Sequence, residues 1–198
     1  MQRWDILNKF IAERGYSSYL EIGIHDPNDN FNKVKCERKV SVDPDVNAKA
    51  MNVMPSDVFF SQNTEKFDII FIDGLHEAHQ VWKDIKNSLN ALNPGGVILC
   101  HDCNPITEQG AKDYEDFPLT DYGMYSWNGD CWKAFVKYRF ESDYLCYTID
   151  ADEGCGIIDT TKGSEVAERK KYSIGEFRYQ DLCENRNGLL GLKPDIVK

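Results

Sequence analysis

The chain has 198 residues, 41% hydrophobic and 28% charged, which suits one folded domain over residues 1–198 with a single sizeable core. A formal net charge of −10 and an isoelectric point near 4.9 argue against nucleic acid or an anionic membrane as partner, since phosphate contacts need clustered Lys and Arg. No stretch approaches transmembrane length, and the seven Cys are odd in number without framework spacing, so a cytoplasmic protein with reduced thiols is expected.

Trp4, Leu7, Phe10 and Ile11 recur at helical spacing and Gly15 follows, which predicts an opening helix that covers part of a sheet. Ser18 to Gly23 reads as the first strand, with a polar loop and a short helix near Phe31 and Val34 beyond it. Strand, Gly and helix start form a cradle for nucleotide-type ligands, because Gly admits the ligand to the backbone and helix N–H groups face it. There is no G-x-G-x-x-G, because His25, Asp26 and Asn28 stand where further glycines are expected. Lys39 to Val42 reads as the second strand and ends at Asp43, about 20 positions after the Gly turn, where a ribose-hydroxyl acceptor belongs. Ala48 to Met54 holds a short third strand. Ser56 reads as the N-cap of the next helix, and Ser56 and Asp57 fall where an adenine sits in such a sheet.

Phe67 to Ile72 and Val97 to Cys100 are apolar runs that fit strands buried on both faces of a parallel sheet. Val81, Trp82, Ile85, Leu89 and Leu92 mark the helix between them, which Asn93-Pro94-Gly95-Gly96 ends. The first run stops at Asp73-Gly74 with His76 close behind, and the second stops at His101-Asp102. Neighbouring strands lie ~4.8 Å apart, so Asp73 and Asp102 can share one ligand or metal ion. Cys100, His101 and Cys103 lack the second Cys pair that a zinc site needs.

Residues 106–127 show no periodicity, and Tyr114, Phe117, Tyr122, Tyr125 and Trp127 suit an ordered lid or simple packing of the loop onto the domain. Asn128 or Asp130 caps a helix reaching Arg139, with Trp132, Phe135, Val136 and Phe140 on its apolar face. Tyr144 to Ile149, a turn, and a return strand from Cys155 predict an antiparallel hairpin edge. The extension 160–198 reads as a closing helix or a homodimer contact.

The segments LEIG (20–23), VDPD (42–45), FDIIFIDGLHEAH (67–79), LNPGGVILCHDCNP (92–105) and WNGDCWKA (127–134) resemble a class I S-adenosylmethionine-dependent methyltransferase. More narrowly, they are similar to a small stand-alone bacterial group with D-G-x-H and H-D-C-N-P motifs, near the macrocin and catechol O-methyltransferase types. The resemblance covers about residues 16–160. It implies an α/β, Rossmann-like fold: seven strands, mostly parallel, with helices on both faces and an antiparallel edge strand. It implies that Glu21 and Gly23, with His25 in the same loop, meet the amino-acid end of S-adenosylmethionine. Asp43 would then hold the ribose, Ser56-Asp57 the adenine, and Asp73 the same pocket. In metal-dependent relatives the strand-end acids bind a divalent cation, which implies Mg²⁺ on Asp73 and Asp102. The acid or amide beside the second Asp is not matched, since His101 and Cys103 flank Asp102.

Methyl transfer needs the acceptor aligned with the methyl group and relieved of its proton. A cation on the acceptor oxygen stabilises the oxyanion, and His76 or His101 accepts the proton, with Asp102 beside them. The acceptor is expected to be a small molecule: a sugar, phenol or alcohol. Two other readings share the Gly turn and the ribose acid: a nicotinamide-dependent oxidoreductase, and a cofactor-binding module without chemistry.

Overall fold

A computed structural model describes residues 1–113, 115–116 and 126–194, and the lid candidates Tyr114, Phe117, Tyr122 and Tyr125 lie outside them. In chain order the elements are α1 (Arg3–Arg14), β1 (Ser18–Ile22), β2 (Arg38–Asp43), β3 (Asn52–Val53), α2 (Ser56–Gln62), β4 (Phe67–Ile72), α3 (Ala78–Ala91), β5 (Leu92–Cys100), α4 (Cys131–Glu141), β6 (Tyr144–Ile149), β7 (Cys155–Gly163), α5 (Tyr179–Leu190) and β8 (Leu192–Lys193). The strands form one sheet in the order β3-β2-β1-β4-β5-β7-β6-β8.

The unbroken apolar runs are explained by burial of both sheet faces. Along β4, Ile69 and Phe71 meet Ile6, Leu7, Phe10 and Ile11 of α1. Ile70 and Ile72 alternate to the other face and meet Phe59 of α2, Val81 and Ile85 of α3 and Phe135 of α4. In α1 it is Ile6, rather than the half-buried Trp4, that completes the apolar stripe.

The Rossmann-like class is as expected, and the sheet differs in two details. It has eight strands, because two residues after α5 pair with β6 as β8. The antiparallel strand is β7, and it runs between β5 and β6 instead of along the edge. Gly156 lets β7 enter there, since a Cβ would lie 2.7 Å from the Phe135 ring and 2.8 Å from Cys103 Sγ.

Three local expectations are corrected. The helix after β1 is a single 3₁₀ turn, Phe31–Lys33. In the loop before it, Asp26 Oδ1 accepts from the Asn28 N–H at 2.8 Å, a local bond that competes with helix. Asn93–Gly96 does not end the helix: α3 stops at Ala91, Leu92 already pairs with Phe67, and the four residues bulge out before Val97 meets Ile69. Ser56 is not an N-cap but the first residue of α2, behind Pro55.

The extension contains a closing helix. Leu182, Leu189 and Leu190 of α5, with Phe177, pack on Trp132 and Val136 of α4. Trp132 is fully buried at the centre of that contact. Trp132→Ala is expected to cost about 3–5 kcal/mol in a urea titration. An unchanged midpoint would show that α5 is held by something else.

Candidate active site

The strand order reverses between β1 and β4, and in open α/β sheets ligands bind at such a switch point, outside the carboxyl ends of the strands. Gly23 ends β1 with φ +81°, and a Cβ there would lie 2.1 Å from the Asp73 carbonyl oxygen. The glycine therefore serves first to let the end of β4 close on the end of β1. A cavity of about 770 Å³ opens here, within the usual size of a small-molecule site. All ten residues expected from the sequence line it: Glu21, Gly23, His25, Asp43, Ser56, Asp57, Asp73, His76, His101 and Asp102.

Their surroundings differ. Asp43 is buried and ties two loops: Oδ2 accepts from the N–H groups of Ile24 (2.9 Å) and His25 (3.1 Å), and Oδ1 from Asp45 (2.8 Å). The His25 ring stands in solvent beside Asp29. The Ser56 hydroxyl accepts from Gln80 Nε2, as do Asp57 and the buried Asp84, so these groups form one polar wall. Burial pushes Asp84 up to about 6, against hydrogen bonds from Ser56 and Gln80. Glu21 is buried with Tyr19, whose hydroxyl donates to Oε2 at 2.5 Å. Burial raises Glu21 to about 8, against the bonds from Tyr19 and Asn30, so it carries a proton at neutral pH.

At the other end, β4 and β5 deliver the charged cluster. Strand residues alternate, yet His101 and Asp102 converge, with Nδ1 2.9 Å from Asp102 Oδ2. Asp102 has φ +58°, which breaks the alternation. His76 Nε2 lies 3.5 Å from Asp73 Oδ1 and 3.2 Å from Asp102 Oδ2, and His101 Nδ1 lies 3.4 Å from Asp73 Oδ1. The His76 Nδ1–H donates to the Trp127 carbonyl at 3.2 Å, and the two rings sit 5.0 Å apart. Burial would lower the pKa of His76, but Asp73 and Asp102 outweigh it and push it up to about 8. Asp73 is held well below the usual carboxylate range, because His101 and His76 outweigh its burial.

Each carboxylate is also held from outside. Arg3, at the start of α1, places Nη1 2.6 Å from Asp73 Oδ2. Asn128 Nδ2 donates to Asp102 Oδ1 at 2.8 Å and to Glu153 Oε2 at 3.1 Å. The β6–β7 turn adds Asp152, which accepts from Arg3 Nε at 2.9 Å and lies 3.8 Å from His101 Nε2. Asp130 heads α4 but accepts from the Ala78 N–H at the start of α3, at 2.5 Å. Gly129 (φ +65°) lets that loop touch His76, whose carbonyl oxygen would lie 1.9 Å from a Cβ. Ligand atoms of Asp73, His76 and Asp102 all lie within 4.8 Å of one another, so His76 joins the two acids expected at a metal.

Sequence reading missed Arg3, Asn128, Asp152 and Glu153. A signal existed for three of them: a helix that precedes β1 starts at this edge, and so does the turn after a strand parallel to β5. The loop residue Asn128 carried none. His79 is exposed and Trp132 is core, away from the site. All seven Cys are free thiols, and no described helix is long and apolar enough to cross a membrane.

Residues 20–103, less than half of the chain, match the family described as a methyltransferase domain. No curated protein matches the chain. Solved structures share the fold. The O-methyltransferase from Bacillus cereus, in complex with S-adenosylhomocysteine, is 13% identical over 79% of this chain and 80% of its own, with a TM-score of 0.52. TomG, an O-methyltransferase from Streptomyces achromogenes involved in tomaymycin synthesis and solved with S-adenosylmethionine, is 14% identical over 79% and 78%, with a TM-score of 0.53. MycE of the mycinamycin pathway, solved with Mg, S-adenosylhomocysteine and mycinamycin VI, is 11% identical over 85% of this chain and 51% of its own, with a TM-score of 0.52.

The raised Glu21 pKa makes a stability prediction. The folded state keeps a proton that the unfolded chain releases, so the contribution is present below about pH 4.5 and lost as pH rises to about 8. Relative to Glu21→Gln, the wild type should lose on the order of 4 kcal/mol across that window in denaturant titrations. Parallel pH profiles would mean that Glu21 is not held neutral.

Proposed function

We propose that the protein is an S-adenosylmethionine-dependent O-methyltransferase of class I, acting on a small hydroxylated acceptor (a sugar, phenol or alcohol) with help from a divalent cation. The observation that carries this reading is the convergence of Asp73, His76 and Asp102 at one end of a cofactor-sized cavity on the switch point. The methyltransferase-domain match and the shared fold support it. The lining suits the cofactor: seven acids besides the neutral Glu21 favour its sulfonium and ammonium charges, and Arg3 is the one Lys or Arg among the described lining residues. The same lining disfavours the pyrophosphate of a nicotinamide dinucleotide. The Ile24 and His25 N–H groups, which would face phosphate, are taken by Asp43.

The chain's own residues then have distinct tasks. Glu21, Gly23 and the loop at His25 border the amino-acid end, Asp43 the ribose, and the wall of Ser56, Asp57, Gln80 and Asp84 the adenine. Arg3 and Asn128 turn one oxygen of each strand-end acid outward, leaving Asp73 Oδ1 and Asp102 Oδ2 to face His76. Buried His101 backs both carboxylates and keeps them there. The Trp127 carbonyl fixes the Nδ1–H tautomer of His76, so Nε2 is the nitrogen that takes the acceptor proton. A divalent cation held by Asp73 and Asp102 would polarise the acceptor oxygen and lower the proton affinity of that nitrogen. Mg²⁺ prefers oxygen ligands, which leaves His76 to the proton; Mn²⁺ or Zn²⁺ would accept the imidazole as well.

Calorimetric titration with S-adenosylhomocysteine, with and without Mg²⁺ or Mn²⁺, tests the reading. Ligand at ~100 times its Kd should add roughly 2.7 kcal/mol of stability. Asp102→Asn should abolish any further gain from the cation while keeping the ligand response. No response at millimolar ligand would overturn the cofactor assignment. With an acceptor in hand, His76→Gln should lower turnover roughly 10²–10⁴-fold and leave S-adenosylhomocysteine binding unchanged. A wild-type rate in that variant would remove His76 from the chemistry.

A further inference from the structure

Arg3 braces Asp73 and Asp152 and also reaches the cavity. It is the first residue of α1 and lines the cavity near Glu21 and Asp73. A cofactor that enters this acid-lined cavity brings one anionic group, the carboxylate of its amino-acid end. Among the described lining residues, only Arg3 carries a permanent positive charge to receive it.

We infer that Arg3 binds the carboxylate of the cofactor's amino-acid end, an inference that rests on the cofactor reading above. Arg3 offers five side-chain N–H groups. Nε and one N–H of Nη2 face Asp152 at 2.9 and 3.4 Å, and one N–H of Nη1 faces Asp73 at 2.6 Å. One N–H on each Nη therefore has no partner among the described residues. Two N–H groups fixed in one guanidinium plane are well suited to a carboxylate, as a freely rotating lysine ammonium is not. The two acids hold the guanidinium in place without consuming it, because both also face His101. Asp152 accepts from the Arg3 backbone N–H as well, at 2.7 Å, so main chain and side chain are fixed together. Asp73 links this group to the Gly23 turn, whose backbone it touches. The carboxylate subsite thus adjoins the cluster that would receive the acceptor, and the cofactor's amino-acid end lies between Arg3 and Glu21.

Two probes separate binding from bracing: S-adenosylhomocysteine, and S-adenosyl-3-thiopropylamine, the same molecule without its carboxylate. In calorimetric titrations the wild type should prefer the first by roughly 10- to 100-fold, the range for a hydrogen-bonded charge pair. Arg3→Met should weaken S-adenosylhomocysteine by that factor and leave the amine within about threefold, erasing the preference. Arg3→Lys, which keeps the charge and loses the guanidinium plane, should retain part of it. Equal affinity of the wild type for the two probes would overturn the inference. So would an equal loss of both in either variant, the result expected of a strut. Should Arg3→Met fail to fold, the wild-type preference and the Lys variant still decide. Failure of the wild type to bind either probe would instead overturn the cofactor reading, and this inference with it.

Discussion

The site depends on the close approach of two carboxylates, Asp73 and Asp102, with basic side chains packed around them. Two like charges at this range repel, and partial burial strengthens the repulsion. His76 and His101 each touch both acids, and Arg3 braces one of them from behind. The cost of collecting these charges is met by mutual pairing, and the pKa values of Asp73, His76 and His101 are displaced in the direction that keeps each charged. A divalent cation entering such a cluster displaces a proton from it rather than filling an empty hole, which links any metal affinity to pH.

This cluster explains why loops so far apart in sequence share one edge. Asp73 and Asp102 come from strand ends, Arg3 from the start of the first helix, Asn128 from the loop before α4, and Asp152 and Glu153 from the β6–β7 turn. Asp102, Asp152 and Glu153 all take left-handed backbone angles, unusual for residues with a side chain, and all three stand at this cluster. The fold holds them there with ordinary means, including the Gly129 contact with His76 and the Asp130 bond to the head of α3.

Much of this was legible in the sequence because it rests on local patterns. The β1–β2 and β4–α3–β5 units follow from apolar runs that stop at Gly, Asp or His, and every residue singled out at those stops lines the cavity. What escaped was set by partners elsewhere. Ser56 looked like a helix cap, but Pro55 precedes it and Gln80 takes its hydroxyl. Asn93–Gly96 looked like a helix stop, but Leu92 finds Phe67 across the sheet and turns the glycines into a bulge. Arg3 was passed over because α1 was read only as a cover for the sheet, although a helix that precedes β1 begins at the strand ends. The position of β7 inside the sheet is likewise a pairing outcome, decided by Gly156 fitting against Phe135.

The charge pattern also bears on what the cavity selects. A chain with ten excess negative charges that lines its pocket with seven acids besides the neutral Glu21 repels phosphates and attracts cations. S-adenosylmethionine carries a sulfonium and an ammonium against one carboxylate, so its net charge suits that field. S-adenosylhomocysteine, left after transfer, has lost the sulfonium charge. On the proposed function the same acids would hold the substrate form more strongly than the product form, an electrostatic difference that would favour product release without any moving part.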